Sequence, residues 1–197
     1  MRRWMKVVFA AAVVVPLLAA VPVWAQDDDD PEDYDRYADN YGLGIGAGLV
    51  NPGGEVEPYL TAAFRIRLGD HDRSYEDLRR GGMQAFIEPE IGYWEHDSNN
   101  TDLLLGVNLL GVTPGGWANY TWGAGVGIHF VDFVRRDPIS LTDIDESEER
   151  LGLNAQVGLD VPVSDSVSIF GVGRWDLVEG ATEEVQEKIY LGLRFGF

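Results

Sequence analysis

From Tyr41 to the end of the chain, apolar residues recur at every second position, in eight runs of about ten residues each. Period-two alternation commits a chain to strands with one apolar face, because successive side chains along a strand point to opposite sides. The first run sets Tyr41, Leu43, Ile45, Ala47 and Leu49 against Gly42, Gly44, Gly46 and Gly48. The pattern returns over residues 57–68, 83–94, 102–110, 120–130, 151–161 and 188–197. The seventh run, 167–178, has poorer parity and admits two registers. Between the runs lie turn formers: Asn51-Pro-Gly-Gly, Thr113-Pro-Gly-Gly, and residues 69–82, 96–101, 133–150, 163–166 and 179–184. No helix longer than a single turn competes, with 75–80 and 183–187 the only candidates. The pattern predicts an all-β chain: an eight-stranded antiparallel up-and-down barrel over residues 41–197.

Alternation alone does not say which face is inside. A soluble barrel buries its apolar face, whereas a transmembrane barrel turns it outward to lipid and keeps polar or small residues within. The polar face here is the glycine-rich one, with Gly123, Gly125, Gly127, Gly152 and Gly158 on the fifth and sixth runs alone. Glycine on a solvent-facing strand weakens it and adds nothing to solubility. On the inner wall of a small barrel it makes room for long side chains from across the lumen. Arg65, Arg67, Glu88, Glu90, Arg174 and Arg194 fall where such side chains are needed. An unpaired ion inside a barrel is costly, so these should meet: Arg65 with Glu88, and Arg67 or Arg194 with Glu90. Aromatic residues gather at run ends, as a pair of interfacial girdles requires: Tyr41, Tyr93, Trp94, Trp117, Tyr120, Phe130, Trp175 and Phe195. The expectation is the inverted, membrane-spanning arrangement.

The first 40 residues are of another kind. Arg2-Arg3 and Lys6, an apolar stretch from Val7 to Val21, and the ending Val23-Trp-Ala25 make the three-part pattern of a secretory signal cleaved after Ala25. Residues 26–40, with Asp27 to Asp30, Glu32 and Asp33, form an acidic arm without enough apolar residues to order itself. The chain carries 15 basic and 33 acidic residues, a formal charge of −18. Loss of the leader removes three basic residues and leaves about −21. Such a balance excludes a nucleic-acid partner, whose phosphates need a basic surface. The absence of cysteine excludes disulfides, thiolate catalysis and Cys-ligated zinc. A mean hydropathy of −0.12 excludes a bundle of membrane helices.

With its leader, its eight alternating runs and its closing segment Ile189-Tyr-Leu-Gly-Leu-Arg-Phe-Gly-Phe197, the chain resembles the small bacterial outer-membrane barrels typified by the OmpA transmembrane domain, OmpX and OmpW. The resemblance covers residues 41–197. It implies an outer-membrane location, with lipids and lipopolysaccharide as surroundings, and a monomer with both termini in the periplasm. It also implies that Phe197, with Phe195 and Leu193 at alternate positions before it, is the signal read by the barrel assembly machinery. Two departures stand out. Residues 69–82 make a long connection on the side where the family prefers short turns, and Pro89 sits mid-strand, where a bulge is expected.

Candidate chemistry is thin. The lipid A deacylase type of barrel pairs a His with a Ser two residues on, but Val131 follows His129 at that spacing. His96-Asp97-Ser98 holds the residue types of a triad on a loop, but adjacent residues cannot take up mutual triad geometry, and His71-Asp72 in the other loop has no nucleophile beyond Ser74. The acidic stretch 143–149 lacks the Gly and Glu of an EF-hand calcium loop, since Glu148 and Asn154 stand at those places. Gly42-x-Gly44-x-Gly46-x-Gly48 has strand period and no following helix to cradle a phosphate. No cofactor, metal site or catalytic residue is expected. The reading is a structural or surface-binding barrel with a polar, plugged lumen. A narrow channel, or a carrier of small apolar molecules with Phe86, Leu104, Leu110 and Phe170 at its mouth, is the first alternative. A lipid A-modifying enzyme is the second.

Overall fold

The computed structural model describes residues 41–52, 55–69, 83–97, 100–115, 117–136, 143–180 and 185–197. The expected leader, the acidic arm and most of the 69–82 connection lie outside the described residues. Eight strands follow in order: β1 (Tyr41–Asn51), β2 (Glu57–Leu68), β3 (Gln84–Asp97), β4 (Asn100–Pro114), β5 (Asn119–Arg136), β6 (Asp143–Ser164), β7 (Val167–Val178) and β8 (Val185–Gly196). Each pairs antiparallel with the next, and β8 returns to β1 in register from Gly42↔Gly196 to Asn51↔Glu187, closing the barrel. Tyr41 and Phe197 seal the seam, each amide donating to the other's carbonyl at 3.2 and 3.1 Å. Their end is the terminal end; the connections after β1, β3, β5 and β7 lie at the distal end. Closure leaves no free edge around the barrel proper, which is how an all-β chain satisfies its backbone without water.

The barrel is inside out. In β1 the apolar residues Tyr41, Leu43, Ile45 and Leu49 are exposed, while Gly42, Gly44 and Gly46 line the interior. Elsewhere Leu109 is 61% and Leu151 55% exposed, against 0% for Asn108 and 7% for Asn154 on the opposite faces of the same strands. The small inner wall is used. A Cβ on Gly42 would stand 3.2 Å from Arg194 Cδ, and one on Gly44 3.3 Å from the Phe170 ring. Exposed aromatics ring both ends, with Tyr41, Trp117, Tyr120, Phe195 and Phe197 at the terminal end and Tyr93 and Trp175 at the distal one.

Several expectations need correction. Trp94 points inward and is buried, so parity overrides position at that run end. The seventh run takes a single register, with Phe170, Arg174 and Asp176 inward. No register slip accompanies Pro89. Its pairing with β4 is unbroken, and that with β2 lapses only between Ala63↔Glu90 and Ile66↔Ile87, so a local gap replaces the bulge. The bulge in β3 falls instead between Glu95 and Asp97. Most of the expected loop 133–150 is strand: β5 continues to Arg136 and β6 begins at Asp143, paired from His129↔Arg150 to Arg136↔Asp143. No Gly or Pro interrupts residues 128–136 or 143–151, so the backbone ladder has nothing to stop it before Pro138. Likewise His96, Asp97, Asn100 and Thr101 belong to β3 and β4, and Val185–Glu187 to β8 rather than to a helical turn.

Candidate functional site

Parity determines which side chains enter the lumen, and the diameter of an eight-stranded barrel then makes them meet, since its interior is about as wide as the side chains that fill it. Among the described residues, five cations (Arg65, Arg67, Arg174, Lys188, Arg194) and five anions (Glu88, Glu90, Asp102, Asp160, Asp176) are buried. These described ions balance one another, although the whole chain is strongly acidic.

The ions form two layers. Nearer the terminal end, Arg65 donates through Nε to Glu88 Oε2 at 2.9 Å and through Nη1 to Asp160 Oδ2 at 2.8 Å. Arg194 donates through Nη1 to the other oxygen of Asp160 and lies 3.5 Å from Glu88 Oε2. Two guanidinium groups thus share two carboxylates, and their flat faces rest on aromatic rings, Arg65 over Phe86 at 5.5 Å and Arg194 over Phe170 at 4.6 Å. In the second layer Arg174 donates through Nη1 to Glu90 Oε1 and through Nε to Asp176 Oδ1 at 2.8 Å. Lys188 Nζ stands 3.0 Å from Asp176 Oδ2. Asn108 donates to the second oxygen of Glu90 at 2.8 Å, and Asn154 donates to Asn108 at 3.0 Å. Arg65 with Asp160 joins β2 to β6, and Arg174 with Glu90 joins β7 to β3; in both cases the strands are four apart, so the pairs span the barrel.

All six residues singled out from the sequence point inward and are buried. The Arg65–Glu88 pair forms as expected. Glu90 is taken by Arg174, and Arg194 goes to Asp160 and Glu88 instead. Register between neighbours is local, but partners across the lumen depend on the tilt of all eight strands, which no single run encodes. Asp160, Asp176 and Lys188 were missed as members. Asp160 and Lys188 lie on the polar parity of their runs, so the signal was present; Asp176 sits in the run of ambiguous register.

Beyond the ions the lumen holds aromatic and apolar groups. Val50, Tyr59, Trp94, Leu104, Phe170 and Tyr190 form one cluster, and Phe86, Leu110 and Val112 another toward the terminal end. Of the four residues expected at an apolar mouth, Leu104 and Phe170 pack in the first cluster and Leu110 in the second, while Phe86, also of the second, lines the opening at the terminal end. The terminal end opens on a small cavity of about 80 Å³, with Gln84, Asn119 and Ser168 in its wall and Arg65, Asp160 and Arg194 as its floor. His129 is fully buried. Its Nδ1 lies 3.2 Å from Asp102 Oδ1, its ring meets Trp94 edge-on at 5.7 Å, and its Nε2 has no hydrogen-bond partner among the described residues. The pair has a base and an orienting carboxylate, and among the described residues no hydroxyl is in hydrogen-bond contact with it. His71, Asp72, Ser74 and Ser98 lie outside the described residues. Among the described residues no three His, Asp or Glu side chains are grouped to hold a metal ion, and no helix is long and apolar enough to cross a membrane.

A closed eight-stranded barrel with an apolar exterior and a salt-bridged interior defines the class: the chain has the fold of the small outer-membrane β-barrels. Among solved structures it is similar to Neisserial surface protein A, with a TM-score of 0.55 at 11% identity, over 80% of this chain and 96% of that one. It is also similar to a major outer membrane protein from Thermus thermophilus, with a TM-score of 0.51 at 13% identity over 80% and 98% of the two chains. The outer membrane enzyme PagL matches with a TM-score of 0.50 at 13% identity over 79% and 99%. At these identities the likeness is one of fold. No protein-family model matches the sequence, and no curated protein matches it.

Proposed function

We propose that the mature chain is a monomeric outer-membrane barrel with a structural or surface-binding role and a lumen closed by its own side chains. The observation that carries this reading is the pair of ion layers. A passage for ions needs a continuous water column, and here salt bridges join strands on opposite sides of the barrel at two levels. A selective pore also needs a surplus of one sign of charge, and the ten buried ions among the described residues cancel. The apolar exterior, banded by aromatics at both ends, supports a bilayer location, since so large an apolar surface is not left in water. The arrangement of termini supports a periplasmic terminal end and a distal end outside the cell. On this reading the leader is removed after Ala25, lipopolysaccharide surrounds the distal rim, and Leu193, Phe195 and Phe197 present the assembly signal; all three are exposed at the terminal end of the last strand. A non-enzymatic role belongs to the same reading, and the His129–Asp102 pair is then a structural hydrogen bond within the lumen.

Two measurements test the proposal together. Cell fractionation should place the protein in the outer membrane as a heat-modifiable band on gels. Planar-bilayer recording of the purified, unmodified barrel should show no steady conductance. A large, ohmic conductance before any mutation would mean an open pore and would overturn the closed-lumen reading.

A further inference from the structure

In the second ion layer one cation, besides balancing charge, has unusual surroundings. Lys188, on β8, is fully buried, and its Nζ sits 4.2 Å from the centre of the Trp94 ring and 5.0 Å from that of Tyr59. Asp176 is the counter-ion at 3.0 Å, yet the ammonium makes no aligned hydrogen bond among the described residues. An ammonium group has three N–H donors and ordinarily finds oxygen partners for them. This one is held instead by ring faces and a single carboxylate. The rings are fixed in place. Tyr59 packs edge-on against both Trp94 and Tyr190, with centroids 5.9 and 5.4 Å away and interplanar angles of 62° and 64°. Tyr59 and Trp94 face each other in the β2–β3 register, and Tyr59 lies over Gly92, where a Cβ would come within 2.9 Å of its Cε2. Aromatic faces plus one carboxylate make the chemistry that recognises organic ammonium ions, in which the ring quadrupole attracts the cation without demanding directed hydrogen bonds.

We propose that Trp94, Tyr59 and Asp176 form an alkylammonium-binding cage inside the barrel, and that Lys188 is its tethered ligand. A tethered ligand competes at a high effective concentration, so free amines do not displace it from the unmodified protein. The consequence for the barrel rests on the closed-lumen reading: the side chain that fills the cage occupies part of the distal half of the lumen and adds to its closure. The cage itself rests on the placement of the two rings and the Asp176 carboxylate, so the two claims fail separately, one by conductance of the unmodified barrel and the other by ligand response.

The test uses the full chain refolded in detergent micelles, with Lys188→Ala to empty the cage and n-propylammonium chloride as the probe. Thermal unfolding of Lys188→Ala should shift upward, saturably, with propylammonium, and half-saturation should come at a concentration at least tenfold below any effect of propanol or sodium chloride. The unmodified protein should not respond. Lys188→Met, which fills the space without charge, should fold and also not respond. Adding Trp94→Leu to Lys188→Ala should abolish the response. If Lys188→Ala yields no heat-modifiable barrel by itself, the readout becomes refolding yield with and without propylammonium, and a gain confined to the amine supports the cage. Equal effects of amine and propanol, no effect of amine on stability or yield, or a response that survives Trp94→Leu would each overturn the assignment.

Discussion

At the scale of single residues, the lumen is governed by the difference between replacing a buried ion pair and breaking one. A buried pair exchanged as a whole for apolar groups can be neutral, whereas removal of one partner leaves a charge without water or counter-ion and costs about 3–5 kcal/mol. Asp160 is the sharpest case, because its two oxygens accept from two arginines on different strands, Arg65 of β2 and Arg194 of β8. Asp160→Ala should lower the stability of the barrel to urea unfolding in micelles by about 3–5 kcal/mol. Asp160→Asn, which keeps one acceptor oxygen, should lose less. Glu88→Ala should also lose less than Asp160→Ala, since both arginines then still hold Asp160. The reverse order of Glu88→Ala and Asp160→Ala would mean that Glu88, not Asp160, is the centre of this layer.

At the scale of elements, β5 and β6 stand apart, with 18 and 22 residues against 11 in β1 and 12 in β7. Their ribbon continues past the last β6–β7 pair at Gly152↔Val178, so its outer part takes no share in closing the barrel. Trypsin applied to intact cells should cut first at Arg135 or Arg136, beside the 137–142 connection, and the cut barrel should keep its heat-modifiable mobility. First cleavage within 69–82 would put the terminal end outside the cell and invert the proposed topology. The last strand gives a second expectation at this scale. Deleting Phe197 removes an exposed ring that stacks on Tyr41 at 6.2 Å, and it should reduce the amount of heat-modifiable barrel in outer membranes; an unchanged amount would show that Phe197 is dispensable for assembly. These elements also show what the sequence makes legible. Alternation exposes the parity of every strand that has one face to lipid and one to the lumen, because the two environments demand opposite residue types. The β5–β6 ribbon has no such contrast between its faces, so its strands read as a charged loop. Trp94 shows two rules in conflict, aromatic at a run end against inward parity, and parity prevails because a one-residue slip would reverse every other side chain of β3. The choice of Arg174 for Glu90 could not be read from either run, since it depends on how β3 and β7 stand across the lumen.

At the scale of the whole molecule, closure and neutrality make a prediction with a sign. The net charge of the ten buried ions is zero, and each of the two layers is neutral, with Arg65, Arg194, Glu88 and Asp160 in one and Arg174, Lys188, Glu90 and Asp176 in the other. Removing one carboxylate therefore leaves a lumen with one surplus positive charge and a guanidinium that has lost a partner. Glu90 accepts from Arg174 on the far wall and from Asn108 on the next strand, so it anchors the only described Arg174 contact that crosses the lumen. In Glu90→Ala, Arg174 keeps Asp176 alone, which lies two residues away on its own strand, and is free to fold back against its own wall. A water column then becomes possible where the salt bridge stood. Planar-bilayer recordings of Glu90→Ala should show openings absent from the unmodified barrel. Reversal potentials in a potassium chloride gradient should favour chloride, because the surplus charge that lines the new path is positive. Glu90→Gln, which restores an acceptor for Arg174 without restoring the charge, should open less often while keeping the chloride preference of any openings that remain. Openings of Glu90→Ala that prefer potassium would show that the path does not run past Arg174, and silence in both variants would place the seal in another layer.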